Sequence, residues 1–138
     1  QAPAVKIRPG VKPVVIASRN GLTMKNGGDI SCVETAFERM AKGEDVYMQH
    51  CVACHQANGQ GIPPAFPSLV GTGVSVGSMD DHIDIVLNGK AGTAMQAFAA
   101  QLNPAELAAV ITYERNAWGN NMNEMIQPRD VNTMMASQ

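Results

Sequence analysis

Cys51-Val52-Ala53-Cys54-His55 is the stretch whose reading decides this chain. Cys-x-x-Cys-His is the attachment pattern for a c-type haem. On a turn of helix the two cysteines stand three apart and face one side. Each thiol can add to one of the two vinyl groups of a porphyrin. His55 follows at once, so its imidazole reaches the iron of the tethered ring. The pattern occurs once, so one covalent haem c is expected.

Blander readings of Cys-x-x-Cys are a thioredoxin-like redox pair or half of a zinc site. A redox pair wants a preceding strand and a βαβ context, and neither is visible. A zinc site wants a second pair of ligands. Outside the motif only Cys32, His50 and His82 remain, and they do not form one.

At 138 residues the chain is one domain with room for modest extensions. One Trp, two Tyr and three Phe are few for a protein core, and a buried porphyrin supplies the missing flat apolar area. Hydrophobic content of 45% against 16% charged indicates a globular chain. The formal net charge is −2, which haem propionates make more acidic, and no basic stripe suggests nucleic acid. No apolar run approaches the roughly 20 residues of a membrane-spanning helix. The sequence starts at Gln1 without a signal peptide and reads as a mature product or a cut domain whose targeting segment is gone. Covalent haem implies an extracytoplasmic compartment, a bacterial periplasm. Of three cysteines the haem takes two, leaving Cys32 as a small buried side chain, an intermolecular disulfide partner or a reactive thiol.

Residues 1–30 are rich in Pro, Gly, Lys and Val and read as a partly irregular arm laid over the domain surface. Val11 to Ala17 is a short extended segment, and Pro13 argues against a central strand. Ser31 with Glu34 resembles a capping box, followed by Val33, Phe37, Met40 and Ala41 at helical spacing. Gly43 breaks or thins this helix, and Glu44 to Ala53 continues it into the haem motif. Ala57 to Pro67 holds two glycines and three prolines, a loop able to wrap a flat cofactor. Ser78 caps a short helix from Met79 to Leu87, which Asn88-Gly89 ends. Asn103 caps the last helix, with Pro104 at its first position and Glu106 three after the cap. Leu107, Val110, Ile111 and Tyr113 or Glu114 follow at helical spacing, and Gly119 closes it. Residues 121–138 read as a tail, with Pro128 as a breaker.

His55 supplies one axial ligand, and a thioether opposite it raises the reduction potential relative to two imidazoles. Of nine methionines, Met95 has the right setting: a loop between a Gly-rich stretch and the last helix, free of helical constraint. Met40, Met48 and Met79 have helical settings that suit packing. The competing ligands are His50, which points away from a tethered ring, and His82, which among Asp80, Asp81 and Asp84 reads as a solvated helix residue. The ring nitrogen of His55 that is not on iron needs a carbonyl to donate to, and the loop 63–69 is its natural source, with Pro67 foremost.

These pieces together resemble a class I c-type cytochrome, an all-α fold with helices wrapped around one covalently bound haem. The resemblance covers roughly Ala41 to Asn120. More narrowly, the chain is similar to the cytochrome c domain of subunit II in caa-type haem–copper oxidases. The stretches that carry this are Asn58 to Pro67, His82-Ile83-Asp84-Ile85-Val86-Leu87-Asn88-Gly89-Lys90, Gly92-Thr93-Ala94-Met95, Ile111 to Gly119 and Ile126-Gln127-Pro128-Arg129-Asp130-Val131. The resemblance implies thioethers at Cys51 and Cys54, proximal His55, distal Met95 and an accepting carbonyl at Pro67. It implies Gly43 and Tyr47 packed on the last helix near Tyr113, and Leu69 and Trp118 lining or flanking the haem pocket. It departs in one respect: residues 1–33 are too short for the copper-binding domain that precedes the cytochrome in those oxidases.

The expected organisation is an extension at 1–33, a cytochrome c domain at 34–120 and a tail at 121–138. The expected function is a periplasmic one-electron carrier and not an enzyme, serving redox protein partners that include a terminal oxidase. The alternatives are the electron-entry subunit of a periplasmic dehydrogenase, a peroxidase-like haem enzyme or a ligand sensor; the last two need an open distal site.

Overall fold

The computed structural model describes residues 35–138 together with the backbone of residues 17–18. Among the described residues the chain is helical, with α1 (Ala36–His50), α2 (Val52–His55), α3 (Met79–Asn88), α4 (Pro104–Asn116) and α5 (Pro128–Ala136). Two-residue strands β1 (Ala17–Ser18) and β2 (Glu124–Met125) pair in parallel, Ala17 against Glu124 and Ser18 against Met125. The fold is all-α, as expected. Cys32 and the extended segment proposed before Ala17 lie outside the described residues.

α1 starts at Thr35, not at Ser31, which with Val33 and Glu34 lies outside the described residues. The Glu38 N–H donates to the Thr35 hydroxyl at 3.1 Å and the Thr35 N–H to the Glu38 carboxylate at 2.8 Å, satisfying two orphan donors reciprocally. Gly43 does not interrupt the helix. The buried face consists of Arg39, Gly43, Val46 and Tyr47. The expected stripe of Phe37, Met40 and Ala41 is not that face: Phe37 is 40% exposed and the other two are half-buried. The physical reason is Gly43. A Cβ there would lie 2.7 Å from the Tyr113 Cβ and 2.8 Å from the Ala109 carbonyl carbon. The bare Cα lets α4 approach to backbone contact, and the residues flanking it are drawn inside.

α4 is the central element. Asn103 accepts from the Glu106 N–H at 2.8 Å, Glu106 accepts from the Asn103 N–H at 3.0 Å, and Pro104 occupies the first helical position. Leu107 to Asn116 are all buried, polar residues included. A helix buried all round has neighbours on every side, and α4 packs on α1, α3, α5 and β2. Its polar side chains are satisfied. Thr112 accepts from the Ile126 N–H at 2.9 Å, and Asn116 donates to the Glu124 carbonyl at 3.0 Å and accepts from the Asn123 N–H at 2.9 Å.

These bonds correct the reading of the last segment. Residues 121–138 dock on α4 through β2 and continue into α5, and Ile126 and Val131 are fully buried. Pro128 starts a helix here instead of breaking one, because it sits at the first helical position where its missing N–H costs nothing.

Candidate cofactor cleft

A cleft of about 480 Å³ opens against α1, α3 and α4, inside the roughly 300–1,000 Å³ range of cofactor sites. Cys51, Cys54, His55, Pro67, Leu69 and Met95 all line it. Each is delivered by a different local cause. α1 runs into a short turn that carries Cys51 at its cap and His55 at its end. Gln56 then leaves the helix at φ 68°, and the chain turns into the proline loop.

That loop aims His55. The His55 Nδ1 lies 3.0 Å from the Pro67 carbonyl oxygen. A carbonyl only accepts, so Nδ1 carries the proton and the Nε2 lone pair is left free, which is the tautomer a metal needs. Gly61 makes the approach possible. Its N–H donates to the His55 carbonyl at 2.8 Å, and a Cβ on it would meet the Pro67 carbonyl oxygen at 2.5 Å. Asn120 holds the same loop from the far side: its amide donates to the carbonyls of Leu69 and Glu114, each at 2.8 Å, and accepts from the Gly71 N–H at 2.8 Å.

Met95 faces the cleft from the loop after α3. The Lys90 N–H closes that loop on the Met95 carbonyl at 3.0 Å, the Met95 N–H donates to the Thr93 hydroxyl at 3.2 Å, and the Phe98 N–H ties the loop's end to the Val86 carbonyl at 3.0 Å. Among the described residues Met95 is the one methionine on the cleft wall. Met40, Met48 and Met79 pack against the core instead.

Of two further placements, Trp118 takes the flanking position and His82 departs from expectation. Trp118 does not line the cleft. It stands behind it, with ring centroids 5.1 Å from Tyr47 and 5.4 Å from Tyr113, and its indole N–H donates to the Ala57 carbonyl at 3.0 Å. Its backbone takes φ 56°, which turns the side chain back onto α1 and α4. Trp118 therefore braces the wall from behind through Tyr47, Tyr113 and the Ala57 carbonyl. His82 is not solvated. It is 1% exposed, and its Nε2 lies 2.8 Å from the Glu114 carboxylate. The neighbouring aspartates misled because they occupy the outer face of α3, whereas His82 shares the inner face with Ile83, Val86 and Leu87. That spacing was the available signal. His50 is exposed, with its ring edge-on to Phe98 at a centroid distance of 6.0 Å.

Glu114 is the wall residue that sequence reasoning did not single out. Its carboxylate is buried beside Cys51. Burial, and then the Glu114 charge, hold the Cys51 thiol well above its ordinary pKa. Next to it, Arg115 donates to the carbonyls of Val74 at 2.9 Å and Gly77 at 2.6 Å and pairs with Glu124 at 2.9 Å. Nothing in the pattern of α4 alone distinguishes these buried charges from a solvated face.

The residues fit a haem. Two thiols, the His55 imidazole with its free nitrogen set by a carbonyl and one thioether share a single apolar cleft, whose wall also carries His50 and the Glu114-bound His82. Among the described residues there is no cluster of three or more His, Cys, Asp or Glu able to hold a metal ion by itself.

Comparison with known proteins agrees. Residues 38–113 match the family model described as cytochrome C oxidase, cbb3-type, subunit III. Cytochrome c-552 of Thermus thermophilus is 39% identical over 93 residues, covering 57% of this chain and 70% of that one. The cytochrome c subunit of alcohol dehydrogenase (quinone) from Gluconobacter oxydans (strain 621H) is 27% identical over 99 residues, 64% of this chain and 21% of that subunit. The gluconate 2-dehydrogenase cytochrome c subunit of Pantoea cypripedii is 32% identical over 100 residues, 64% of this chain and 23% of that subunit. The chain thus spans about a fifth of the length of these two dehydrogenase subunits.

Proposed function

The chain belongs to the family described as cytochrome C oxidase, cbb3-type, subunit III, and is a class I c-type cytochrome with covalent haem c; on that premise we propose that His55 and Met95 close its iron site and make it a one-electron shuttle between protein partners in the bacterial periplasm. Cytochromes of this kind carry electrons, and the bound haem supplies one reversible electron at its iron. The observation that carries the closed site is that the single methionine on the described cleft wall stands on a hydrogen-bonded loop in the same cleft as His55.

The residues divide the work. Cys51 and Cys54 fix the ring against α1. Pro67 holds the His55 ring in one orientation, so reduction requires no rearrangement of that side. Met95, as a neutral soft donor, favours the reduced state relative to a second imidazole. A haem held by both His55 and Met95 would offer no open position to a substrate, which would disfavour peroxidase-like chemistry or gas sensing. Among the described residues no helix is long and apolar enough to cross a membrane. A partner in a respiratory chain ending at an oxidase accords with the family name and with the resemblance to the caa-type domain.

A second reading has its own support. The two dehydrogenase subunits named above make this fold a candidate electron-entry module of a dehydrogenase complex. The site chemistry is the same in both readings, and the partner differs. Co-purification of the full chain separates them by whether an oxidase or a dehydrogenase accompanies it.

The spectrum of the haem-loaded protein tests the site. Ferric protein shows low-spin haem with the weak red charge-transfer band of methionine–iron ligation, and Met95→Ala abolishes the band and lowers the potential. A high-spin ferric spectrum, ready carbon monoxide binding at neutral pH, or a band unchanged in Met95→Ala refutes the assignment.

A further inference from the structure

Glu114 has no part in attaching or ligating the haem, yet it stands buried on the cleft wall. Its surroundings define its state. The Nη1 of Arg115 lies 3.3 Å from the Nδ1 of His82. Guanidinium has only donors and stays protonated, so Nδ1 accepts. His82 is then the neutral Nε2–H tautomer, and that N–H donates to the Glu114 Oε1 at 2.8 Å. The Arg115 charge is engaged on its other edge by Glu124. The arrangement stabilises a carboxylate at Glu114 with a neutral donor, and among the described residues no Lys or Arg pairs with it.

We propose that Glu114 sets the reduction potential of the site, its buried negative charge favouring the oxidised iron. This rests on the haem reading above. The step is the gain of one electron, iron(III) to iron(II), from a reduced electron-transfer protein, with no proton moved and Glu114 ionised throughout. A fixed negative charge in a low-dielectric wall opposes the added electron, and water screens it little. Glu114 acts on the potential, and Met95 acts against it, so the two together place the working value.

Glu114→Gln is the direct test, because the amide is isosteric and still accepts from His82. Redox titration of the haem-loaded variant shifts the equilibrium toward the ferrous form by on the order of tenfold, which for one electron is about 59 mV upward. Glu124→Gln removes the same charge from a side chain 38% exposed and outside the cleft wall, and shifts it by clearly less. An unchanged potential in Glu114→Gln, or equal shifts in the two variants, overturns the proposal. If Glu114→Gln fails to retain haem, the wild-type protein decides by its reduced-minus-oxidised infrared spectrum with labelled glutamate. A perturbed ionised carboxylate supports the proposal, and a protonated carboxyl band or no glutamate signal overturns it. Loss of the red band in the wild type would strike the Met95 ligation instead, so the two failures are distinguishable.

Discussion

Replacing Gly43 by Ala tests the contact on which the cleft's geometry rests. α1 carries Cys51 into the cleft and α4 carries Val110 and Glu114, and the two helices touch at Gly43. The added Cβ would sit 2.7 Å from the Tyr113 Cβ and 2.8 Å from the Ala109 carbonyl carbon, both in a buried helix with neighbours behind it. Carbon atoms prefer about 3.5–4.0 Å, so the helices must part by roughly an ångström. Overpacking of this kind costs about 1–3 kcal/mol or more, and here the obstacle is backbone that cannot change rotamer. Alanine returns up to about 1 kcal/mol through helix propensity. A net loss of about 2 kcal/mol is therefore expected. With a guanidinium slope of about 4 kcal/mol/M, the unfolding midpoint of the haem-loaded protein falls by about 0.5 M. Parting the helices also slackens the Tyr47–Tyr113–Trp118 cluster behind the cleft, which near-ultraviolet circular dichroism reads as loss of aromatic signal. A midpoint equal to or above wild type would refute the reasoning, since propensity would then have won and the contact would not be tight.

Asn120→Ala removes three hydrogen bonds between the proline loop and the end of α4 and is expected to cost about 1–3 kcal/mol, read from the same denaturation curve; a loss under about 0.5 kcal/mol would show that the loop holds itself. Arg115→Met strands Glu124 and the carbonyls of Val74 and Gly77, and a loss of roughly 3 kcal/mol is expected, the low end for a broken buried pair because Glu124 can turn to water. Tyr47 bears on alkaline pH. Burial first, then the charge of Glu114, push its phenol well above the ordinary range, so the folded chain keeps a proton that the unfolded chain gives up near pH 10. Stability thus falls as pH rises past about 10. Tyr47→Phe loses the bond to the Gln56 carbonyl, about 1 kcal/mol at pH 7, but its deficit narrows between pH 7 and 10.5; parallel pH profiles for the two proteins would count against the Tyr47 shift.

The cofactor and the N-terminal caps of α3 and α4 were legible because each is encoded within a few residues, whereas α4 ends at Asn116 and not at the expected Gly119. A thiol pair and an imidazole at fixed spacing, or Asn-Pro-x-Glu before an apolar run, carry their physical consequence locally. The faces of the helices were less legible. In α1 the apolar count pointed to Phe37, Met40 and Ala41, but burial is decided by which residue lets a neighbour come nearest, and that was Gly43. In α3 the aspartates drew His82 toward solvent, although its spacing with Ile83 and Val86 placed it inside.

Residues 121–138 show the limit most plainly. As a string they are polar and interrupted by proline. Their burial comes from α4, whose Thr112 and Asn116 present hydrogen-bond partners that no local pattern marks as inward-facing. The identity of the chain as a haem-binding helical protein was thus written into short-range chemistry: two thiols and an imidazole at the spacing of Cys51, Cys54 and His55 share one face wherever the rest of the chain goes. The wall around that ring was decided only when α4 acquired neighbours on every side. Burial of Glu114, His82 and Arg115 depends on those long-range contacts, because a polar side chain on α4 or α3 faces inward only once another element covers it.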